Sequence, residues 1–252
     1  MNQCSEFNNL FSLIPTFSTF AKFFTIGLIS SWLSLLFCGA LKWKKDVKTE
    51  YTRKINHFFV FSCVSLVNVA KGPSAVVSFA LGVVFIVVFA VLIGEKSILY
   101  SAMAREKDAP FQKYYVVLPL VATAVGGVAS NIFWGSKAAM LGYLISGIAD
   151  AVAEPIGVCF GRIEYRVPSR AGGGTKRTLE GSIAVFLASF IIIILYCKMY
   201  LLIPSIGFSI NPIMILFAVV IALVEAVSPH GFDNAFLQIV PSWIASTFLI
   251  LE

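Results

Sequence analysis

Charged residues are scarce in this chain of 252 residues. Lys, Arg, Asp and Glu make up 13% of the sequence, whereas 58% is hydrophobic and the mean hydropathy is +0.88. A soluble domain of this length does not need so much apolar surface, and apolar runs of about 20 residues are typical of membrane-spanning helices. The composition therefore argues against a soluble domain and predicts an all-α, polytopic membrane protein.

Motifs that define several other classes of protein are missing. The five cysteines include no C-x-x-C pair, so neither a disulfide framework nor a cysteine metal site is expected. No internal repeat or low-complexity linker divides the chain, and we expect one integral membrane domain over residues 1–252. No motif typical of groove reading or base stacking is present, so nucleic acid is not an expected partner.

Eight apolar stretches predict a single bundle of about eight transmembrane helices. They lie near residues 20–41, 56–71, 74–94, 114–132, 136–160, 181–203, 210–228 and 235–251. The second is short and ends at Gly72-Pro73, so a re-entrant segment and seven spans are the alternative. The first is expected to remain as an anchor, because no basic cluster precedes it and a lysine cluster follows it.

The positions of the basic residues predict an orientation. Most of the 19 Lys and Arg residues lie in the connections 42–54, 96–113 and 162–177. Eight spans place all three connections on one side, which the positive-inside rule makes cytoplasmic, with the N-terminus opposite. We therefore interpret the net charge of +6 as a basic collar at the cytoplasmic face.

The most informative segment runs from Gly147 to Arg162. At helical spacing, positions 147, 150, 154, 157 and 161 form one stripe that reads Gly, Asp, Glu, Gly, Gly. Each carboxylate inside a membrane costs about 2.5–3.5 kcal/mol, so Asp150 and Glu154 require a compensating cation. The glycines clear space beside them, which favours a metal ion with a phosphate. An ion pair that only holds the bundle together is the alternative.

A polar loop over residues 162–180 follows this segment and is predicted to be a cytoplasmic basic, glycine-rich loop. The backbone N–H groups of Gly172, Gly173 and Gly174 can form an anion nest, with Lys176 and Arg177 supplying positive charge. Thr178 can cap the next helix, whose N-terminus also favours phosphate. The loop is not a Walker A motif, because Thr175 precedes Lys176 where that motif needs glycine. A flexible basic loop is the alternative.

Two other polar segments are candidate parts of the same site. Arg53, Lys54 and His57 share about one and a half helical turns, where they can bind a phosphate chain or provide a base. Positive-inside charge with an interfacial histidine is the alternative. The mixed-charge stretch 101–108 has no special spacing and is expected to be mostly a solvated loop.

A polar corner precedes the last apolar stretch. Asp233 is either an N-cap of the last helix or a ligand, and Asn234 follows it in the first turn. Glu225 lies inside the preceding apolar run, where capping does not explain it. We keep all three as candidate site residues.

Taken in order, these segments resemble the CTP-dependent polyprenol kinases. The shared patterns are R-K-x-x-H from Arg53, R-E-x-D from Arg105, G-x-x-D-A-x-A-x-x-x-G-x-x-x-G-R from Gly147, K-R-T-L-E-G-S from Lys176 and S-P-x-G-x-D-N from Ser228. The group includes dolichol kinases, phytol and farnesol kinases and the fungal-type CTP-dependent diacylglycerol kinase, and it is related to phosphatidate cytidylyltransferase. The resemblance covers residues 45–241.

The resemblance implies transfer of the γ-phosphoryl group of CTP to the hydroxyl of a membrane lipid alcohol, with Mg²⁺ as cofactor. Because phosphoryl transfer depends on positioning and charge neutralisation, we assign roles accordingly. The expected metal ligands are Asp150, Glu154 and Asp233. The expected catalytic residues are Asp150, Lys176, Arg177 and His57, with the general base left open between His57, Glu154 and no residue at all. The expected nucleotide-binding residues are Arg53, Lys54, Arg162, Gly172, Gly173, Gly174, Thr178, Glu180, Gly181 and Asn234.

Two other functions stay open at this point. A cytidylyltransferase would attack the α-phosphate, release pyrophosphate and leave a CDP-lipid. An ion-coupled carrier would use Asp150 and Glu154 as intramembrane acids. Polar residues end near the cytoplasmic half of the predicted bilayer, which favours a one-sided site over a path through the membrane. Gly157-x-x-x-Gly161 is also compatible with helix–helix packing in an oligomer.

Overall fold

The computed structural model describes residues 10–169, 175–200 and 212–250, and these form nine α-helices with one β-hairpin. The helices are α1 (Phe17–Lys45), α2 (Thr49–Lys71), α3 (Pro73–Ile93), α4 (Ile98–Ser101), α5 (Gln112–Leu144), α6 (Asp150–Phe160), α7 (Leu179–Tyr200), α8 (Pro212–Val227) and α9 (Asp233–Ile244). The strands are β1 (Glu164–Val167) and β2 (Thr175–Thr178). A π-helical turn, Ile145–Ala149, joins α5 to α6, and another, Ala245–Leu249, extends α9. The predicted all-α class is confirmed.

Four helical segments in the described part of the chain are long and apolar enough to cross a membrane. They are Phe17–Lys45, Pro73–Lys96, Gln112–Phe160 and Leu179–Met199. Large apolar side chains project outward from them, including Phe37, Leu92 and Leu195. Such surfaces are too apolar for water, so the protein is an integral membrane protein.

The prediction of seven to eight spans is therefore wrong for the described residues. The stretches 114–132 and 136–160 fall within one long apolar segment, but its backbone is not helical at Gly135, where φ is 74° and ψ is 170°. The chain turns back there, since Asn131 Nδ2 donates to Tyr143 Oη, so the predicted break between these two stretches is present. Helix α8 has 16 residues and α9 has 12, fewer than the roughly 20 that a bilayer requires. Helix α2 has 23 residues but carries charged side chains over its first turns.

Ion pairs bring the basic connections together at one end of the bundle. Lys42 Nζ lies 2.6 Å from Glu106, and Lys107 Nζ lies 3.2 Å from both Glu50 and Glu154. The hydrogen bond from Lys42 lowers the pKa of Glu106. Residues from the connections 42–54 and 96–113 thus meet at the end of α6.

Small residues let the helices approach closely. A Cβ at Gly27 would lie 2.1 Å from the Phe79 carbonyl oxygen, so α1 and α3 pack backbone to backbone. Between α5 and α9, Gln238 Nε2 donates to the Thr123 carbonyl at 3.1 Å, and Asn234 Nδ2 donates to Thr123 Oγ1 at 3.0 Å. These contacts hold α1 against α3 and α5 against α9.

Gly147 allows α2 to pack closely on the π-helical turn and does not clear space around the carboxylates. A Cβ at this position would lie 2.3 Å from Phe61 Cβ, and no rotamer change can relieve a Cβ–Cβ contact. We expect Gly147→Ala to force α2 away from the π-helical turn and lower stability by about 1–3 kcal/mol. Thermal unfolding in detergent measures this, with Gly127→Ala as the milder comparison, because the nearest obstacle to a Cβ there, Gln238 Oε1, lies 3.0 Å away rather than 2.3 Å. Equal melting temperatures for the two variants would contradict the assignment.

Candidate functional site

A polar cavity of about 340 Å³ opens where α2, α6, the hairpin and the α8–α9 corner meet. Its basic lining residues are Arg53, Lys54, Arg105, Lys107, Lys176 and Arg177. Its acidic lining residues are Asp150, Glu154, Glu164, Glu225 and Asp233. The structure thus brings together the predicted segments around residues 53, 150, 177 and 233.

At the base of this polar cavity, Asp150 is paired with α2. Lys54 Nζ lies 2.7 Å from Asp150 Oδ2, and both residues are buried. His57 Nε2 lies 3.5 Å from the same oxygen and 2.8 Å from the Ser146 carbonyl oxygen. Since a carbonyl only accepts, neutral His57 carries its hydrogen on Nε2, and Nδ1 is the nitrogen that can take up a proton.

Glu154, one turn further along α6, is paired with Arg105. The Arg105 guanidinium donates to Glu154 Oε1 at 2.8 Å and holds Asp108 through two bonds of 2.8 and 2.9 Å. Burial alone would lower the pKa of Arg105. The carboxylates of Glu154 and Asp108 outweigh this effect and raise that pKa above its usual value.

The expectation that 101–108 is mostly a solvated loop is wrong for these residues, since Arg105 and Asp108 are both buried. Glu154 requires a positively charged partner, and this requirement is the feature of the sequence that could have identified Arg105.

Arg177 forms the opposite wall. Its Nη2 donates to Asp233 Oδ2 at 3.0 Å, and its Nη1 lies 3.0 Å from Glu225 Oε1 as an ion pair without hydrogen-bond alignment. Burial again opposes the charge, and the carboxylates, Glu225 first, raise the pKa of Arg177. Lys176, by contrast, is exposed and pairs with exposed Glu164 at 2.5 Å, an arrangement that contributes little to stability.

The β-hairpin and two glycines place Arg177. Strand β1 pairs antiparallel with β2, with Glu164 opposite Thr178. A Cβ at Gly157 would lie 2.7 Å from Thr178 Oγ1, and one at Gly161 would lie 2.5 Å from Thr178 Cγ2, so the strand end packs directly on α6. Thr178 Oγ1 accepts from Gly181 N at 3.2 Å and caps α7, as the sequence suggested.

Several predicted residues lie elsewhere. Arg162 and Glu180 do not line the polar cavity, and Glu180 accepts from the Ile163 amide at 3.5 Å. Asn234 faces the groove described below, where it binds Thr123. Gly172, Gly173 and Gly174 lie outside the described residues.

The acidic residues suit Mg²⁺ only together with a ligand. In the described part of the chain, no group of three or more His, Cys, Asp or Glu side chains is arranged to hold a metal ion. Asp150, Glu225 and Asp233 nonetheless interact electrostatically across the polar cavity. Mg²⁺ is commonly held by one or two carboxylates plus substrate phosphates, so the donor set fits an ion that is shared with a nucleotide.

An apolar groove of about 260 Å³ adjoins the polar cavity between α2, α3, α5 and α9. Valines of α3 form much of one wall, while Arg53, Asn56 and His57 stand among its polar lining residues. Arg53 lines both spaces. Of the basic lining residues, it is the one for which the described residues provide no carboxylate or hydrogen-bond partner.

No protein-family model and no curated protein matches the sequence.

Proposed function

We propose that this protein is a CTP-dependent lipid-alcohol kinase. It would transfer the γ-phosphoryl group of CTP to the hydroxyl of a membrane lipid. The observation that carries the proposal is the position of Arg53, a cation that no described residue pairs with and that lies where the polar cavity meets the apolar groove. A reaction between a soluble polyanion and a lipid needs two such spaces to share one reacting centre.

The polar cavity supports binding of a triphosphate through charge neutralisation, which phosphoryl transfer requires. Lys54 and Arg177 each hold a carboxylate within 3.0 Å and would exchange it for phosphate oxygens when nucleotide binds. Asp150 and Asp233 would then be released to hold Mg²⁺, with Glu154 beside them. The ion, when bound, supplies positive charge to the β- and γ-phosphates.

The groove supports delivery of the acceptor hydroxyl to His57. The hydroxyl oxygen attacks the γ-phosphorus, the bond from that phosphorus to the β–γ bridging oxygen breaks, and CDP leaves. The hydroxyl proton passes to His57 Nδ1 and then to water. Asp150, 3.5 Å from His57 Nε2, stabilises the resulting imidazolium, and Arg53 neutralises the phosphoryl group in transfer.

The choice of CTP and of the acceptor class rests on the sequence resemblance. Polyprenols, phytol, farnesol and diacylglycerol all present a hydroxyl on an apolar body, which suits the groove. By the positive-inside rule, the polar cavity would face the cytoplasm, with the N-terminus opposite.

The decisive assay uses the purified protein in detergent with Mg²⁺ and either γ-labelled or α-labelled CTP. The acceptors are phytol, farnesol, dolichol, undecaprenol and diacylglycerol. We expect γ-label in one lipid class and none from α-labelled CTP, with Arg53→Ala as the inactive control. Entry of α-label into lipid with release of pyrophosphate would instead indicate a cytidylyltransferase. Absence of both, with metal binding retained, would indicate a carrier.

A further inference from the structure

His230 lies in the corner between α8 and α9 and does not enter the mechanism above. Its side chain lines the polar cavity, yet the residue is only 8% exposed. Its backbone N–H donates to the Pro168 carbonyl at 3.0 Å, and its ring packs on Tyr115 with centroids 4.9 Å apart. The imidazole is therefore held in one place.

Arg105 fixes the protonation state of this ring. Arg105 Nη2 is in hydrogen-bond contact with His230 Nε2. A guanidinium can only donate, so Nε2 must accept, and the single ring hydrogen must lie on Nδ1. Burial first, and then the charges of Arg105, Arg53 and Arg177, lower the pKa of His230 to about 2. The ring is neutral at every physiological pH.

The remaining N–H group has no acceptor among the described residues. This nitrogen is not enclosed by the protein, and His230 lines the polar cavity, so a ligand oxygen can reach its hydrogen. After Arg105, the cations that act most strongly on the ring are Arg53 and Arg177, and both line the same polar cavity. The donor therefore shares its space with the groups that would hold a phosphate.

We propose that His230 is a neutral hydrogen-bond donor, through Nδ1, to a phosphate oxygen of the bound nucleotide, and that Arg105 holds it in this tautomer. The identity of the nucleotide rests on the proposed function. A neutral donor adds a directed bond to the developing charge without adding a further cation beside Arg105.

Two isosteric variants test this role. Asn places its amide nitrogen near the position of Nδ1, whereas Gln reaches the position of Nε2 and keeps only the contact with Arg105. We expect His230→Asn to retain kcat/KM for CTP within about tenfold and His230→Gln to lose about 10²-fold. Equal losses, or a larger loss in His230→Asn, would overturn the proposal.

The pH profile gives a second readout. Because His230 does not titrate, the ratio of wild-type to His230→Gln activity should stay constant from roughly pH 6 to 8. Burial raises the pKa of Glu225, which lines the same cavity, to about 7. A ratio that changes through that range in the protein and equally in its Glu225→Gln variant would overturn the proposal.

Binding separates this inference from the proposed function. If the wild-type protein phosphorylates no lipid, the kinase proposal fails, but calorimetry with CTP still tests His230. About tenfold weaker CTP binding in His230→Gln than in His230→Asn supports the donor role, and equal affinities refute it.

Discussion

Replacing Asp150 with Asn should lower kcat by about 10³-fold or more, which corresponds to roughly 4 kcal/mol of transition-state stabilisation. Asp150 would hold Mg²⁺ and stabilise the protonated form of His57, which lies 3.5 Å away. The same variant should also be less stable. Lys54 would lose its partner at 2.7 Å, and breaking a buried ion pair costs about 3–5 kcal/mol.

The double variant Asp150→Asn/Lys54→Met separates these two effects. Removing both charges leaves no uncompensated ion, so the melting temperature in detergent should recover most of the loss. Phosphoryl transfer should remain absent. Recovery of activity together with stability would show that Asp150 is only the counter-ion of Lys54 and would contradict the metal-site assignment.

The sequence predicted that Asp150 and Glu154 require cations, but it did not identify both partners. Lys54 is 96 positions away from Asp150, and Arg105 is 49 positions away from Glu154. The cost of a buried charge follows from the residue and its apolar neighbours, so it can be read locally. The identity of the partner depends on how α2 and the 105–108 turn pack against α6, which local patterns do not encode.

The span count shows a related limit. Hydropathy identified the apolar stretches, and most of them became helices near the expected positions. It also separated the segments on either side of Gly135, where the chain does turn back, but it did not predict that α8 and α9 are short. Composition determines which segments are buried in the membrane or in the protein interior. The exact ends of the helices depend on single residues such as Gly135.

The glycine stripe was predicted to clear space around the carboxylates. Gly157 and Gly161 do line the polar cavity, but their close contacts are with Thr178. Gly147 packs against Phe61. Helical spacing therefore located the stripe, but only the packing shows that its glycines allow close approach of neighbouring elements.

Replacing Arg53 with Ala should lower kcat/KM for CTP by about 10²–10³-fold while leaving stability nearly unchanged. The described residues give its guanidinium no ion pair, so its removal leaves none of the described carboxylates without a partner. Its charge acts on Asp150, Glu154 and Asp233 across the polar cavity, but at longer range than an ion pair, so its loss should cost less stability than the loss of Arg177.

Arg177→Ala is the matched control for Arg53→Ala, because it removes an equal charge from the same polar cavity. It leaves Glu225 and Asp233 without the guanidinium that lies 3.0 Å from each, so both activity and melting temperature should fall. Arg53→Lys should be intermediate in activity, since lysine keeps the charge but loses the two-pronged geometry that suits phosphate. If Arg53→Ala lowers the melting temperature as much as Arg177→Ala does, Arg53 is a structural residue. If Arg53→Ala leaves kcat/KM for CTP unchanged, the polar cavity and the apolar groove do not share a reacting centre at Arg53.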